Sequence, residues 1–415
     1  MQPALAVWTV VALATAGVIL RPFRWPEAVW ALAGAATLVG FGLLPPAAAW
    51  EGVLRGTDVY LFLVGMMLLA EVARREGLFD WLAGFAVRAA RGSATRLLLL
   101  VYGVGVVTTV FLSNDATAVV LTPAVYAAAR AARAPPLPHL FACALVANAA
   151  SFVLPISNPA NLVVFGPHLP PLGEWLRHFT LPSILAIGAT FAMLRLTQRR
   201  DLAGPIETRV TAVALGRGGR AAGLGILLTA AVLLGASAAG LELGWPTFLA
   251  GAATTLLVLL VTRQGPRGVL AGVSWGVLPL VAGLFVLVAA LEATGAVHAL
   301  AGLLADSEVP GALAAGLAVG FGTNLTNNLP AGLLAGAVLE AGPASPLLAG
   351  AVLIGVDLGP NLSVTGSLAT LLWLAAIRRE GLAVSDAQFL RLGLVVMPPA
   401  LLLALAALAL QPFGH

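Results

Sequence analysis

Apolar runs recur along this chain from one end to the other, separated by short polar stretches. The runs predict full membrane spans at about 4–20, 28–44, 57–73, 175–197, 221–240, 245–262, 271–293 and 386–410, each near the roughly 20 residues that a crossing needs. Two longer runs, 137–166 and 346–377, carry Pro, Gly and polar residues at their middles and predict broken helices. Two further stretches do not fit one crossing. The first, 96–130, is interrupted at Ser113-Asn114-Asp115, and the second, 309–342, at Thr326-Asn327-Asn328. Arms of about 13–16 residues are about 20–24 Å of helix at 1.5 Å per residue, short of a hydrocarbon core of about 30 Å. They predict re-entrant hairpins that enter and leave on one side, with tips buried in protein or lining a wet cavity.

The basic residues fix the sides. All 22 are Arg. With the loop after the first span in the cytoplasm, every Arg except Arg55 and Arg177 falls on the cytoplasmic side, as the positive-inside bias requires. Counting either hairpin as two crossings destroys that asymmetry. Both termini come out extracytoplasmic. The chain divides into 1–200, a cytoplasmic linker 201–220, and 221–415. Each half reads as three spans, a surface helix (about 78–91 and 296–305), a hairpin, a broken span and a last span. The first half starts outside and the second inside. The expected fold is an all-α polytopic membrane protein built as an inverted repeat, with about ten transmembrane helices, two hairpins and two broken helices.

Composition sharpens the class. The 415 residues are 60% hydrophobic and 10% charged, with a mean hydropathy of +0.98, whereas soluble domains carry about 25% charged residues. No large soluble domain is expected. The net charge of +4 does not point to nucleic acid, because the arginines sit in short loops between spans. The single cysteine, Cys143, forms no intrachain disulfide and reads as a buried thiol. No zinc spacing occurs, and no metal or cofactor is expected. His168, His178 and His298 fall in or near outer loops and are expected to be solvated.

Chemistry concentrates at the breaks. Phe111-Leu-Ser-Asn-Asp-Ala-Thr-Ala118 followed by Ala149–Asn161 has a counterpart in Asn324-Leu-Thr-Asn-Asn-Leu-Pro-Ala331 followed by Val356–Leu368. Breaks at corresponding places in two halves are the sequence pointer to a carrier's binding site. An ionisable side chain at mid-membrane costs at least about 2.5–3.5 kcal/mol, and most acids here avoid that by lying near span ends. Asp115 and Asp357 do not. They read either as caps on half-helix N-termini or as a protonatable or cation-binding pair. Ser113, Asn114, Asn158, Thr326, Asn327, Asn328, Asn361, Thr365 and Ser367 either satisfy backbone groups freed by unwinding or bind a small polar solute. Glu292 and Glu340 fit a span end or a cavity equally.

At Phe111–Pro123, Asn327–Pro330 and Gly355–Asn361 with Gly366–Ala369, the chain resembles the ion transporter superfamily, and within it the bacterial arsenite efflux permeases. The resemblance implies export of arsenite or antimonite in exchange for protons across the bacterial inner membrane, with Asp115 and Asp357 as proton-coupling residues. Such permeases also work with a separate soluble ATPase, and this chain has no nucleotide-binding loop. Arsenous acid is neutral near physiological pH and carries three hydroxyls, which suits Asn, Ser and Thr. Sodium/proton antiporters and silicate or carboxylate carriers share the hairpins and remain alternatives. A remote one is an intramembrane aspartyl protease on Asp115 and Asp357, for which the flanking residues Asn114 and Gly355-Val356 do not fit.

Overall fold

A computed structural model describes residues 3–208, 214–304 and 308–411; Arg209 and Asp306 lie outside them. Among the described residues, the elements are helical, apart from one isolated bridge between Ser93 and Pro205. The first half contains α1 (Pro3–Leu20), α2 (Glu27–Gly40), α3 (Pro46–Arg55), α4 (Thr57–Arg75) and α5 (Leu78–Ala89). Its hairpin follows: α6 (Ala94–Phe111), α7 (Asn114–Ala116), a π-helical turn (Thr117–Leu121) and α8 (Thr122–Ala131). Then come the broken span, α9 (Pro136–Ala149) and α10 (Pro159–Phe165), and α11 (Leu172–Thr197). The second half contains α12 (Arg217–Ala238), α13 (Gly244–Thr262), α14 (Arg267–Gly272), α15 (Val277–Ala293) and α16 (Ala296–Leu304). Its hairpin is α17 (Val309–Thr326) and α18 (Asn328–Glu340), its broken span α19 (Pro346–Leu358) and α20 (Leu368–Arg379), and its last helix α21 (Asp386–Ala409).

Three features depart from the sequence reading. Short helices α3 and α14 precede the third span of each half, started by Pro46 at the first turn of one and by Pro266 just before the other. Six described helices are long and apolar enough to cross a bilayer, or up to eight if two bent pairs count as one span each. α2 is one of the shorter ones, because Gly42 at φ 67° lets the Leu43 and Leu44 amides close back on the Leu38 carbonyl. The first arms of both hairpins have 18 residues, about 27 Å at 1.5 Å per residue, so they run deeper than expected. The tips then turn differently. Ser113 is extended at the first, and Asn327 takes φ 74° at the second, a costly conformation for a residue with a Cβ.

Packing follows one scheme in both halves. α1 pairs with α2 and α12 with α13, while α2 meets α15 and α4 meets α13 across the halves. Gly65 and Gly251 let the α4 and α13 backbones touch: a methyl on either would strike the other helix's backbone. Each hairpin's first arm lies on its own half's broken span, α6 on α9 and α17 on α19. Each second arm crosses over, α18 packing on α10, and α8 with its preceding turn packing on α20.

The two ends of α4 define the ends of the bundle. Near Asp58 gather Gly244, Glu242, Glu292, Glu340 and the 166–170 loop. Near Arg75 and Glu76 gather Gly218, Gln264 and Gly268. The feet of the first hairpin lie side by side, because consecutive linker amides bind both: Ile206 N–H donates to Gly92 O at 3.0 Å and Glu207 N–H to Ala132 O at 2.7 Å. The foot of α18 lies instead at the Asp58 end, where Glu340 and Gly342 line a cavity.

Candidate transport site at the crossing of the broken helices

The two broken spans are interrupted in the same way. Asn148 sits in the last turn of α9, and Asn158, ten residues on, caps α10 by accepting from Ala160 N–H at 3.1 Å. Asp357 sits in the last turn of α19, and Ser367, also ten residues on, caps α20 by accepting from Thr370 N–H at 3.1 Å. Such caps satisfy the orphan amides of each half-helix. Pro159 supplies a first helical residue that needs no amide partner.

The caps and last turns meet across the halves. Asn158 Nδ2 donates to Asp357 Oδ1 at 2.7 Å. Asn148 Nδ2 donates to Asn361 Oδ1 at 3.0 Å and to Thr370 Oγ1 at 3.4 Å, and Asn361 Nδ2 to Leu145 O at 3.0 Å. Thr370 and Ser367 share a 2.8 Å hydroxyl contact. Asp357 is 0% exposed, and its Oδ2 is buried without a hydrogen-bond partner. No ion pair among the described residues reaches it. A buried carboxylate left uncompensated is expensive, and a proton or a bound cation removes that cost. Asn148 Oδ1 is likewise buried and unpartnered.

The second hairpin tip forms an adjoining polar patch. Ser363 Oγ donates to Asn324 Oδ1 at 2.7 Å, Thr365 Oγ1 to Asn324 O at 2.9 Å, and Asn327 Nδ2 to Thr365 O at 3.2 Å. Asn324 Nδ2 also reaches Gly359 O at 3.1 Å, so this one amide ties the hairpin to the break. Thr326 bonds within its own turn, to Gly322 O at 3.3 Å, and Asn328 is buried.

The first tip is more local. Ser113 Oγ accepts from Ala116 N–H at 3.1 Å, Asn114 Oδ1 from Asp115 N–H at 2.9 Å, and Thr109 and Thr117 share a 2.8 Å contact. Ser157 Oγ links this tip to its broken span through Val110 O at 3.3 Å. Capping here falls to Ser113 and Asn114, which leaves the half-buried Asp115 carboxylate outside that role. The two aspartates thus occupy unlike surroundings.

The structure therefore joins Asn158 to Asp357, Asn361 to Ser367 through Asn148 and Thr370, and Asn327 to Thr365. It adds Asn324 and Thr370, and it bears out Asn148, which the sequence places among the polar residues around the breaks. Asn324 stood in plain sight three residues before Asn327. His178 is buried on α11 and not solvated as its loop-side position suggested.

At the Asp58 end lies a cavity of about 650 Å³, lined by Arg55, Asp58, Glu174, Glu242, Glu292 and Glu340. Arg55 donates to Glu292 Oε2 at 2.8 Å, and that bond raises its pKa, so it stays charged. The floor is the seam of α10 and α18, where Leu162 and Val163 meet Leu333 and Gly336. A methyl on Gly336 would drive into the Val163 carbonyl. Four residues of α10 separate Leu162 from Asn158, about 6 Å along the helix.

Comparison with known proteins fits this architecture. The family described as citrate transporter matches residues 6–356. The chain belongs to this family. It is also similar to the arsenical pump membrane protein of Yersinia enterocolitica, 28% identical over 397 residues, covering 92% of this chain and 91% of that one. The arsenical pump membrane protein of Escherichia coli K12 is 29% identical over 391 residues, 87% of each chain. In fold it is similar to the YdaH transporter of Alcanivorax borkumensis, with a TM-score of 0.61, 17% identity, and 99% of this chain and 98% of that one covered. The protein is a multi-pass membrane transporter.

Proposed function

We propose that this transporter exports arsenite and antimonite in exchange for protons across the bacterial inner membrane, by alternating access between two inverted repeats. The observation that carries the reading is Asp357, buried at the crossing, held by one amide from the other half and free at its second oxygen. A proton taken there neutralises the site, and its release leaves a charge whose burial is costly. The two states then differ in their preference for the closed crossing, which is what couples two fluxes. Asp115, on the first tip, is the second proton-coupling residue. Ser113, Asn114, Asn158, Thr326, Asn327, Asn328, Asn361, Thr365 and Ser367 supply the neutral donors and acceptors for a trihydroxylated cargo. A separate ATPase can act on the same chain.

Alternating access is supported by the seam of α10 and α18, which closes the crossing from the acid-lined cavity in this state. The opposite placement of the hairpin feet supports the inverted relation. A carboxylate cargo is the second reading, favoured by the family's description. Among the described residues no Arg bonds or pairs with the crossing, which favours the neutral cargo.

Everted vesicles energised by a pH gradient separate these readings. Arsenite and antimonite should accumulate, and citrate, silicate and sodium should not. The Asp357→Asn protein should insert normally and accumulate nothing. Accumulation of citrate alone, or arsenite accumulation that needs sodium at fixed pH, would defeat the proposal.

A further inference from the structure

The two hairpins share a sequence plan but not the same cover. In the first half, α5 packs on both arms, α6 and α8, and buries Phe79 and Val87. In the second half, α16 packs on α15 and on the second arm, α18. The first arm, α17, is left open: 22% of it is buried, against 50% of α6. A cavity of about 680 Å³ occupies the space between α1, α15, α16 and the hairpin. It runs from Trp8 on α1 past Ala318 to Thr326 and Pro330 at the tip. Among the described residues, none of its lining side chains is charged, and its polar ones are threonines.

We propose that this cleft is a lateral window filled by the acyl chain of a bilayer phospholipid. Three observations select that occupant. The cleft is continuous with surface that a membrane must cover: Trp8, Leu300 and Leu325 line it and are 42%, 40% and 79% exposed. It lies beside a hairpin arm that α16 leaves uncovered, whereas α5 covers both arms of the first hairpin with apolar side chains. It offers neither a cation nor an amide cluster for a headgroup, so only the hydrocarbon part of a lipid fits. Water is a poor filler, because a water needs two to four polar partners.

The window gives the second hairpin a fluid neighbour. α17 moves against acyl chains, which are as apolar as its own leucines and repack at little cost, while α6 is packed under α5. The second hairpin is therefore the more mobile of the two, and bulk placed in the window restrains it.

The test does not depend on cargo or coupling. The full chain, with buried Cys143 retained, is labelled with a small thiol fluorophore at Ala318→Cys or Ala12→Cys in the window. Leu228→Cys, on the exposed face of α12, is the lipid-facing reference. Each protein is reconstituted in phosphatidylcholine vesicles with plain or brominated acyl chains and then treated with aqueous iodide. Both window labels should lose emission in brominated lipid to an extent comparable with Leu228→Cys, and resist iodide as that reference does. Quenching by iodide instead shows a wet cleft, and quenching by neither shows one covered by protein; either overturns the proposal. Two window positions guard against one label that fails to fold, and wild-type elution of each variant is the criterion for including it.

Discussion

Asp357 is satisfied on one side only. One oxygen is satisfied by Asn158 and the other by nothing, in a segment where every neighbour from Leu347 to Leu362 on its own helix and break, Ala349 and the 359–362 turn included, is apolar, a glycine, a proline or an asparagine. Asp357→Asn keeps size and hydrogen bonding and removes the charge. It is expected to preserve insertion and thermal stability and to abolish uphill arsenite export, read by vesicle accumulation beside a melting curve. Asn158→Ala strands the buried carboxylate, so it is expected to cost about 1–3 kcal/mol of stability, seen as a lowered melting temperature that Asp357→Asn in the same chain partly restores. Cys143 is 0% exposed, with its thiol turned to the His139 carbonyl at 3.5 Å. Cys143→Ala is therefore expected to retain most arsenite resistance in a growth assay.

At the scale of elements, the hairpins are held at their feet and at their seams. The linker clips both feet of the first hairpin through the Ile206 and Glu207 amides. Glu207→Pro removes the donor to Ala132 and is expected to cost about 0.5–1.5 kcal/mol, detected as faster hydrogen exchange at both feet with the tip unchanged. The seam of α10 and α18 closes because Gly336 has no side chain. Gly336→Val wedges it, and an impermeant thiol reagent added from outside is expected to reach Ala160→Cys only in that background. Labelling of Ala160→Cys without the wedge would show that the seam is no barrier.

For the whole molecule, the arginine asymmetry and the clustering of loops at the two ends of α4 make one prediction. A thiol at Pro167→Cys, beside the acid-lined cavity, is expected to react with impermeant reagent in intact cells. A thiol at Gly204→Cys, on the linker, is expected to react only after the membrane is opened. Reaction of Gly204→Cys from outside would reverse the sides and with them the direction of transport.

Much of this was local enough to read in the chain. A helix inside a membrane follows from about 20 apolar residues, because no other backbone conformation satisfies its polar groups there. A break follows from Pro, Gly and Asn placed within such a run. Helical hairpins and broken spans were therefore legible from 96–130, 137–166, 309–342 and 346–377. The arm lengths were not, because helix propagation to Phe111 and Thr326 depends on the broken span each arm packs against. Nor was the bond from Asn158 to Asp357, which joins residues 199 apart. A sequence period fixes which face of a helix is apolar, but not which remote helix it meets. Only the packing of α10 against α18, and of the two halves across one crossing, decided that Asp357 is sealed beside an amide while Asp115, in an equally polar motif, stays half open to its surroundings.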